Sequence, residues 1–354
     1  MHPSSTRKNV TLADVAKAAG VSKTTASHAL SGRGYVALAT RETVLRLAGE
    51  MGFEADPLAR VLSSGQNESS IAFFTLDLDL SSRTRLLQLI QSRLNDQGFS
   101  VPVHAYGYRG ADVARHQLEV MAGALSGKPR ALVCNLAQMG ADATNKLRRF
   151  VDDGGLCVAY GYDGFADLNC DQVICAEDES FALAARHLFE QGHRELGVFS
   201  VGLRKPSGSM LEAVEQEARR FGATLRDEWL FGNDGTRRYE EDGACLAQEF
   251  LALSHRPSAM IVANDYAAAA FLAVLQRNGV RVPHDVSVVG HDDDAIAPFA
   301  VVPLTTTSVP VEAMARQVVE LLLSRLRGDA PAEAQRTVVR GELILRSSTA
   351  KYVN

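Results

Sequence analysis

No run of apolar residues in this chain of 354 approaches the length needed to cross a bilayer, on the order of 18. No export signal precedes the first polar segment, which predicts a cytoplasmic protein that stays away from membranes. Cysteine is scarce: Cys134, Cys157, Cys170, Cys175 and Cys245 are scattered and odd in number, with no CxxC pair. That pattern excludes a disulfide framework and a zinc cluster and predicts reduced thiols and no bound metal. The motifs of several enzyme classes are missing too. No G-x-G-x-x-G follows a strand, and neither H-E-x-x-H nor G-x-S-x-G occurs. "GALSGKP" (123–129) is one residue short of a phosphate loop and has a proline after its lysine. His193 in "QGHRE" fits a helix-to-strand turn better than a catalytic base. The expectation is a protein without catalytic residues or cofactor.

Apolar residues make up 46% and charged residues 22%, enough to build two or three globular domains. The net charge of −5 is unevenly spread. Residues 1–66 carry eight Lys/Arg against five Asp/Glu, and the rest carries 29 against 37. A basic head on an acidic body points to a polyanion met by the head alone.

That head reads as three short helices. Thr11 can cap the first, and Asp14 completes a capping box. Leu12, Val15, Ala16 and Ala19 form its apolar stripe, and Gly20 suits its C-terminal turn. Ser22 can cap a second helix from Lys23 to Leu30, with Ala26, Ala29 and Leu30 apolar and its other positions small and polar. A third runs from about Thr40 to Met51, with Val44, Leu45, Leu47 and Ala48 apolar. Two helices joined by a short Gly-containing turn, the second with an exposed polar face, make a helix-turn-helix; the plainer alternative is a helical cap on the main domain. Next, Pro57 can open one short helix through Leu62, and a polar linker follows from Ser63 to Ser70.

From Ile71 short apolar runs alternate with amphipathic stretches. "SIAFFTL", "RALVCNL", "LCVAYGY", "ELGVFSV", "SAMIVAN" and "VSVVGHD" predict strands. Helices are predicted over 85–97, 178–191, 210–221, 243–252, 266–278 and 311–326. This βαβα alternation implies parallel sheets covered on both faces. Polar residues gather just after the strands, at Asp77, Asn135, Tyr162, Asp163, Asn264, Asp265, Asp292 and Asp293, where open α/β sheets bind ligands.

"TLADVAKAAGVSKTTASHALSG" and "GYVALATRETVLRLAGEMGFEADPLARVL" resemble the DNA-binding end of the lactose-repressor/galactose-repressor family of bacterial transcription regulators. "QGHRELGVFS", "ANDYAAAAFLAVLQRNGVRVPHDVSVVGHDDD" and "PLTTTSVP" resemble blocks of the family's body, so the likeness spans nearly the whole chain. It implies an all-α headpiece (1–55), a hinge helix and linker (56–70), and an α/β periplasmic-binding-protein-like body (71–354). The body would have two doubly wound parallel-sheet lobes, one of about 71–174 plus 308–337, the other of about 175–307 plus 338–354. The implied function is a repressor that binds a pseudo-palindromic double-stranded DNA operator as a homodimer and answers to a small-molecule effector, a sugar or sugar derivative. No leucine heptads that could join dimers into a tetramer occur in "STAKYVN" at the C-terminal end. A solute-binding protein without a regulatory role, or a nucleotide-dependent enzyme, are the alternatives.

The resemblance also assigns residues. Lys23 and Thr24, with Ser27 and His28 one turn on, lie where the family reads base edges; Ser22, Thr25 and Ser27 can donate to phosphates, and Thr11 is a further DNA-binding position; Ala59, Arg60 and Leu62 match the hinge, with Leu62 as a minor-groove wedge. His28 departs from the arginine usual there. For the effector, Asn264 and Asp292 match sugar-binding positions, with Asp77, Ser82, Arg83, Tyr162, Asp163 and Arg238 beside them. Leu80-Ser81-Ser82-Arg83 replaces the family's Asn-Pro-Phe-Phe, and Arg238 falls near an aromatic that stacks on the sugar ring. Arg83 and Arg238 suit an acidic or phosphorylated ligand as well as a neutral sugar.

Overall fold

The computed structural model describes residues 10–31, 36–51, 53, 67–76, 78–107, 112–137, 139–162, 167–202, 205–223 and 225–353. The hinge residues Ala59, Arg60 and Leu62, together with Asp77 and Asp163, lie outside them. Contacts divide the chain into two units, before and after the Glu68–Ser69 bond.

The first unit holds α1 (Leu12–Ala18), α2 (Lys23–Ser31) and α3 (Leu38–Met51). Thr11 and Asp14 cap α1 reciprocally: the Asp14 amide donates to Thr11 Oγ1 at 3.3 Å and the Thr11 amide to Asp14 Oδ2 at 2.9 Å. Gly20 turns the chain at φ +64°, a conformation that costs an L side chain but not glycine. Ser22 Oγ then accepts the Thr25 amide at 3.0 Å and starts α2. Val15, Ala16, Ala26, Ala29, Val44 and Ala48 form the core. Leu45, expected on the apolar stripe of α3, is 49% exposed, because it lies off the face that Val44, Ala48 and Met51 turn into this core.

The second unit contains two lobes. In the first, β1 (Asn67–Leu76), β2 (Val103–Tyr106), β3 (Pro129–Asn135), β4 (Leu156–Gly161), β5 (Asp171–Cys175) and β11 (Arg336–Val339) form one sheet in the order β11-β5-β4-β3-β1-β2. Strand β1 begins inside the segment read as linker, since the backbones of Ser69 and Ser70 pair with Ser100. Alternate residues of β1 serve opposite faces. Ile71 and Phe73 pack with α4 (Ser81–Asn95) and α11 (Val311–Arg327), while Phe74 and Leu76 pack with α5 (Val113–Ser126) and α6 (Ala141–Asp152).

In the second lobe, β6 (Leu196–Ser200), β7 (Leu230–Gly232), β8 (Ala259–Val262), β9 (Ser287–Asp292), β10 (Thr305–Ser308) and β12 (Leu343–Ile344) form a sheet in the order β12-β10-β9-β8-β6-β7. Helices α7 (Glu177–Glu190) and α8 (Gly208–Arg220) cover one face, and α9 (Tyr239–Ala252) and α10 (Asp265–Arg277) the other. A Cβ on Gly243 would strike the Ala267 backbone, so this glycine sets how closely α9 and α10 approach. The described pairings are parallel, except that β12 runs antiparallel to β10 at the sheet edge.

The chain passes between lobes three times, at 175–177, 308–311 and 339–343. The last passage comes after Val339 because β11 pairs with β5 through that residue, two residues past the expected boundary. No helix among the described residues is long and apolar enough to cross a membrane.

Candidate nucleic-acid face and ligand cleft

Helix α2 faces inward with two alanines and outward with polar groups. Ala26 and Ala29 are 0% and 2% exposed, whereas Lys23, Thr24 and His28 are exposed. Alanine lets the helices cross closely, and it leaves the first turn of α2 free of bulky apolar side chains. Thr25 and Ser27 are half-buried at the edges of this face. Thr25 Oγ1 lies 2.8 Å from Ser22 Oγ, so both hydroxyls also serve the cap, as Thr11 serves α1.

Between the lobes of the second unit lies a cleft of about 1070 Å³, lined among others by Ser82, Tyr266, Asp292, Asp293, Val309 and Glu342. A smaller recess of about 30 Å³ in the first lobe takes in Arg83, Asn135, Tyr160 and Tyr162. The structure thus brings Ser82 of the first lobe and Asp292 of the second to the same cleft, with Arg83 and Tyr162 in the recess, which Ser82 also lines.

Asn264 has two tasks. Its Oδ1 accepts the amides of Tyr266 and Ala267 at 2.9 and 3.2 Å, capping α10, and its Nδ2 donates to Asp292 Oδ2 at 2.9 Å. The Asp292 backbone has φ +103° and that of Asp293 +50°. These are costly values for non-glycine residues, and they turn the strand end toward the cleft. Burial raises the Asp292 carboxyl to about 7; Arg83 opposes this, Asp294 adds to it, and hydrogen bonds from Asn264 and Tyr162 oppose it. Burial likewise pushes the Tyr162 phenol well up, so it is a neutral donor. Asp265 is fully buried, raised first by burial and then by Asp292, and it accepts Thr306 Oγ1 and the Asp294 amide, each at 2.7 Å. That makes Asp265 a structural brace beneath the cleft.

Arg238 does not join this group. It precedes α9, its side chain is 75% exposed, and its Nε lies 3.6 Å from Glu240. The next residue, Tyr239, turns inward instead, and Arg83 Nη2 donates to its hydroxyl at 3.4 Å. The expected arginine is therefore replaced by an aromatic one position along. The cause is local: with the Arg238 amide bound to Glu241, α9 begins four residues before the predicted start.

Sequence reasoning also passed over His291. Its ring is 2% exposed and stacks on Phe181 at 5.0 Å between centroids, and its Nδ1 lies 2.7 Å from Thr307 Oγ1. Nε2 has no hydrogen-bond partner among the described residues and lies 3.7 Å from Glu177 and 3.9 Å from Asp292. Burial lowers this imidazole to about 4, so neither approach is an ion pair at neutral pH. The signal was present in "VVGHDDD", where strand alternation places His291 opposite Asp292.

The profile of "Bacterial regulatory proteins, lacI family" matches residues 11–56, and that of a "Periplasmic binding protein-like domain" matches residues 185–349. The HTH-type transcriptional regulator reg1 of Streptomyces lividans is 30% identical over 347 residues, 96% of either chain. The HTH-type transcriptional repressor PurR of Vibrio vulnificus (strain CMCP6) is 26% identical over 349 residues, 97% of this chain and 99% of its own. Among solved structures, a lac repressor dimer bound to operator and the anti-inducer ONPF has a TM-score of 0.76 at 24% identity, with 97% of this chain and 100% of that one covered. A transcriptional regulator CelR–cellobiose complex gives 0.68 at 23%, covering 96% and 100%.

Proposed function

The chain belongs to the lacI family of bacterial regulatory proteins, DNA-binding regulators under small-molecule control, and from that premise we propose a cytoplasmic homodimeric repressor whose operator affinity is set by a neutral, hydroxyl-rich effector, a sugar or sugar derivative. The observation that carries the DNA half is the division of α2, whose core side is Ala26 and Ala29 and whose open side is Lys23, Thr24 and His28. Lysine suits guanine O6/N7, and threonine suits a base edge or a thymine methyl. Two such headpieces related by a two-fold axis read a pseudo-palindrome. Phe299 and Val301, 82% and 50% exposed on the second lobe, offer an apolar patch for the partner copy.

The effector's charge follows from how the cations near the cleft are used. Arg85 pairs with Glu312 at 2.5 Å, Arg340 with Glu179 at 2.7 Å, and Arg346 with Asp293 at 2.7 Å. Arg83 is held by Tyr239 and faces Asp292, and Arg238 stands outside. An anionic ligand would have to displace these partners. A polyol needs only the donors and acceptors of Asn264, Asp292 and Tyr162. This favours a neutral sugar over the acidic or phosphorylated ligand that the two arginines suggested.

Two experiments test the reading. Selection of binding sites from random DNA should return an inverted repeat, and a selection that returns no motif defeats the DNA half. A thermal-shift screen should respond to a neutral sugar or polyol, whereas a response confined to sugar phosphates or sugar acids defeats the effector half.

A further inference from the structure

Helix α4 starts at Ser81, yet its N-cap residue, Leu80, supplies no capping side chain. The cap comes from the other lobe. The Ser81 amide donates to Asp294 Oδ1 at 3.0 Å, the Ser81 hydroxyl donates to the same oxygen, and Ser82 Oγ lies 3.4 Å from Asp294 Oδ2. The Ala295 amide donates back to Ser81 Oγ at 3.0 Å. Asp294 is 1% exposed, and its own amide is fixed at 2.7 Å by Asp265, the brace of the second lobe.

The neighbours of Ser81 behave alike. The Leu80 side chain is 3% exposed within the second lobe's buried cluster, which also holds Trp229, Tyr239, Phe271 and Leu304. Arg83 reaches Tyr239 on α9. Four consecutive residues of the first lobe, Leu80 to Arg83, thus each engage the second.

We propose that Leu80–Arg83 and Asp294 form a clasp that holds the two lobes together, with Asp294 and Leu80 as positioning residues of the ligand cleft. Every contact is made by protein groups alone, so the clasp acts before any ligand is captured. Opening the lobes would strip α4 of its cap and return Leu80 to water. A cap of ordinary strength shifts the closed-to-open ratio about two- to thirty-fold. Burial of one leucine side chain shifts it about ten- to a hundred-fold. A ligand then reaches the cleft only in the minor open fraction, and its apparent affinity follows the clasp. The proposal rests on reading the cleft as the effector site, but its test needs no effector.

Spin labels placed on full-length protein through Glu119→Cys on α5 and Glu249→Cys on α9, in a Cys245→Ser background, report the lobe separation; the remaining cysteines are buried. Asp294→Ala and Leu80→Ala should lengthen and broaden the distance distribution. Amide exchange over residues 81–84 should speed up about two- to thirty-fold in Asp294→Ala. Asp294→Asn keeps an acceptor for the Ser81 amide and should fall between wild type and alanine, so the proposal stays testable if Leu80→Ala does not fold. Faster exchange with an unchanged distance distribution would mean that Asp294 caps α4 without governing closure, and would overturn the clasp. So would no change in either measurement.

Discussion

Asn264 Nδ2 lies 2.9 Å from Asp292 Oδ2 while Asn264 Oδ1 caps α10, so one amide fixes both a helix start and the carboxylate beside it. Capping and a place at the cleft, which look like rival roles for this residue in the sequence, are compatible because they use different atoms of the same amide, the oxygen for the cap and the nitrogen for Asp292.

The stability of the body should fall with rising pH through the Asp292 titration. Its carboxyl is raised from 3.8 to about 7, so the folded state keeps a proton that the unfolded chain has released. The contribution is complete below about pH 4 and is lost as pH rises through about 7. It amounts to at most about 4 kcal/mol. Asp292→Asn should flatten the fall of Tm between pH 5 and 8, leaving the share that comes from Asp265. Equal slopes for both proteins would show that Asp292 is charged throughout.

Lys23→Ala should cost about 1–3 kcal/mol on the selected site and relax the preference at one base pair per half-site. His28→Arg should shift one position of the selected motif toward guanine, because arginine adds a two-pronged donor where imidazole has one. Selections run side by side on wild type and both variants read this directly. A uniform gain on all DNA with steeper salt dependence would put residue 28 against phosphate instead.

Arg238→Ala should leave ligand affinity unchanged, since that side chain is 75% exposed and faces Glu240. Tyr239→Ala should weaken binding roughly tenfold or more, because it removes a buried aromatic that holds Arg83. Titration calorimetry with whichever sugar the screen returns gives both values. A loss with Arg238→Ala and none with Tyr239→Ala would restore the arginine to the cleft.

Val15→Ala should abolish DNA binding while sparing ligand binding. Val15 is fully buried in a core of six side chains, and its two methyls contribute roughly 2 kcal/mol. So small a unit has little stability to lose. Circular dichroism should show reduced helix at 37 °C with the main melting transition in place.

Phe299→Asp should shift the sedimentation profile toward monomer at micromolar concentration, because it places a charge in an exposed apolar patch. An unchanged dimer would move the interface elsewhere.

The fold was most legible where apolar runs were continuous. Buried strands such as "SAMIVAN" and "VSVVGHD" and the long amphipathic α11 stand within two residues of their expected bounds. Strands β2, β5, β7, β10, β11 and β12 escaped notice because each is only two to five residues long: "TTTS" and "RTVV" are polar as well and pair with strands far along the chain. Helices α4 and α9 began earlier than expected because their first turns are held by remote or polar groups, Asp294 and Glu241, rather than by an apolar stripe. In the cleft, Asn264, Asp292 and Tyr162 could be found at strand ends. Tyr239 and Asp294 could not, because which of two adjacent side chains faces inward depends on the register of each helix start and strand end.

The lobes close late during synthesis. Strand β11, which completes the first sheet beside β5, is drawn from residues 336–339, although that sheet opens at Asn67. At about 5–20 residues per second, a ribosome needs roughly 14–55 s to travel from one to the other. For the last roughly 8–32 s of that time, from the end of β5 at Cys175 to the arrival of β11, the nascent first lobe carries an open sheet edge at β5, and the second lobe is made during that wait. A newly made chain can therefore present its DNA-reading helices well before it can hold a ligand.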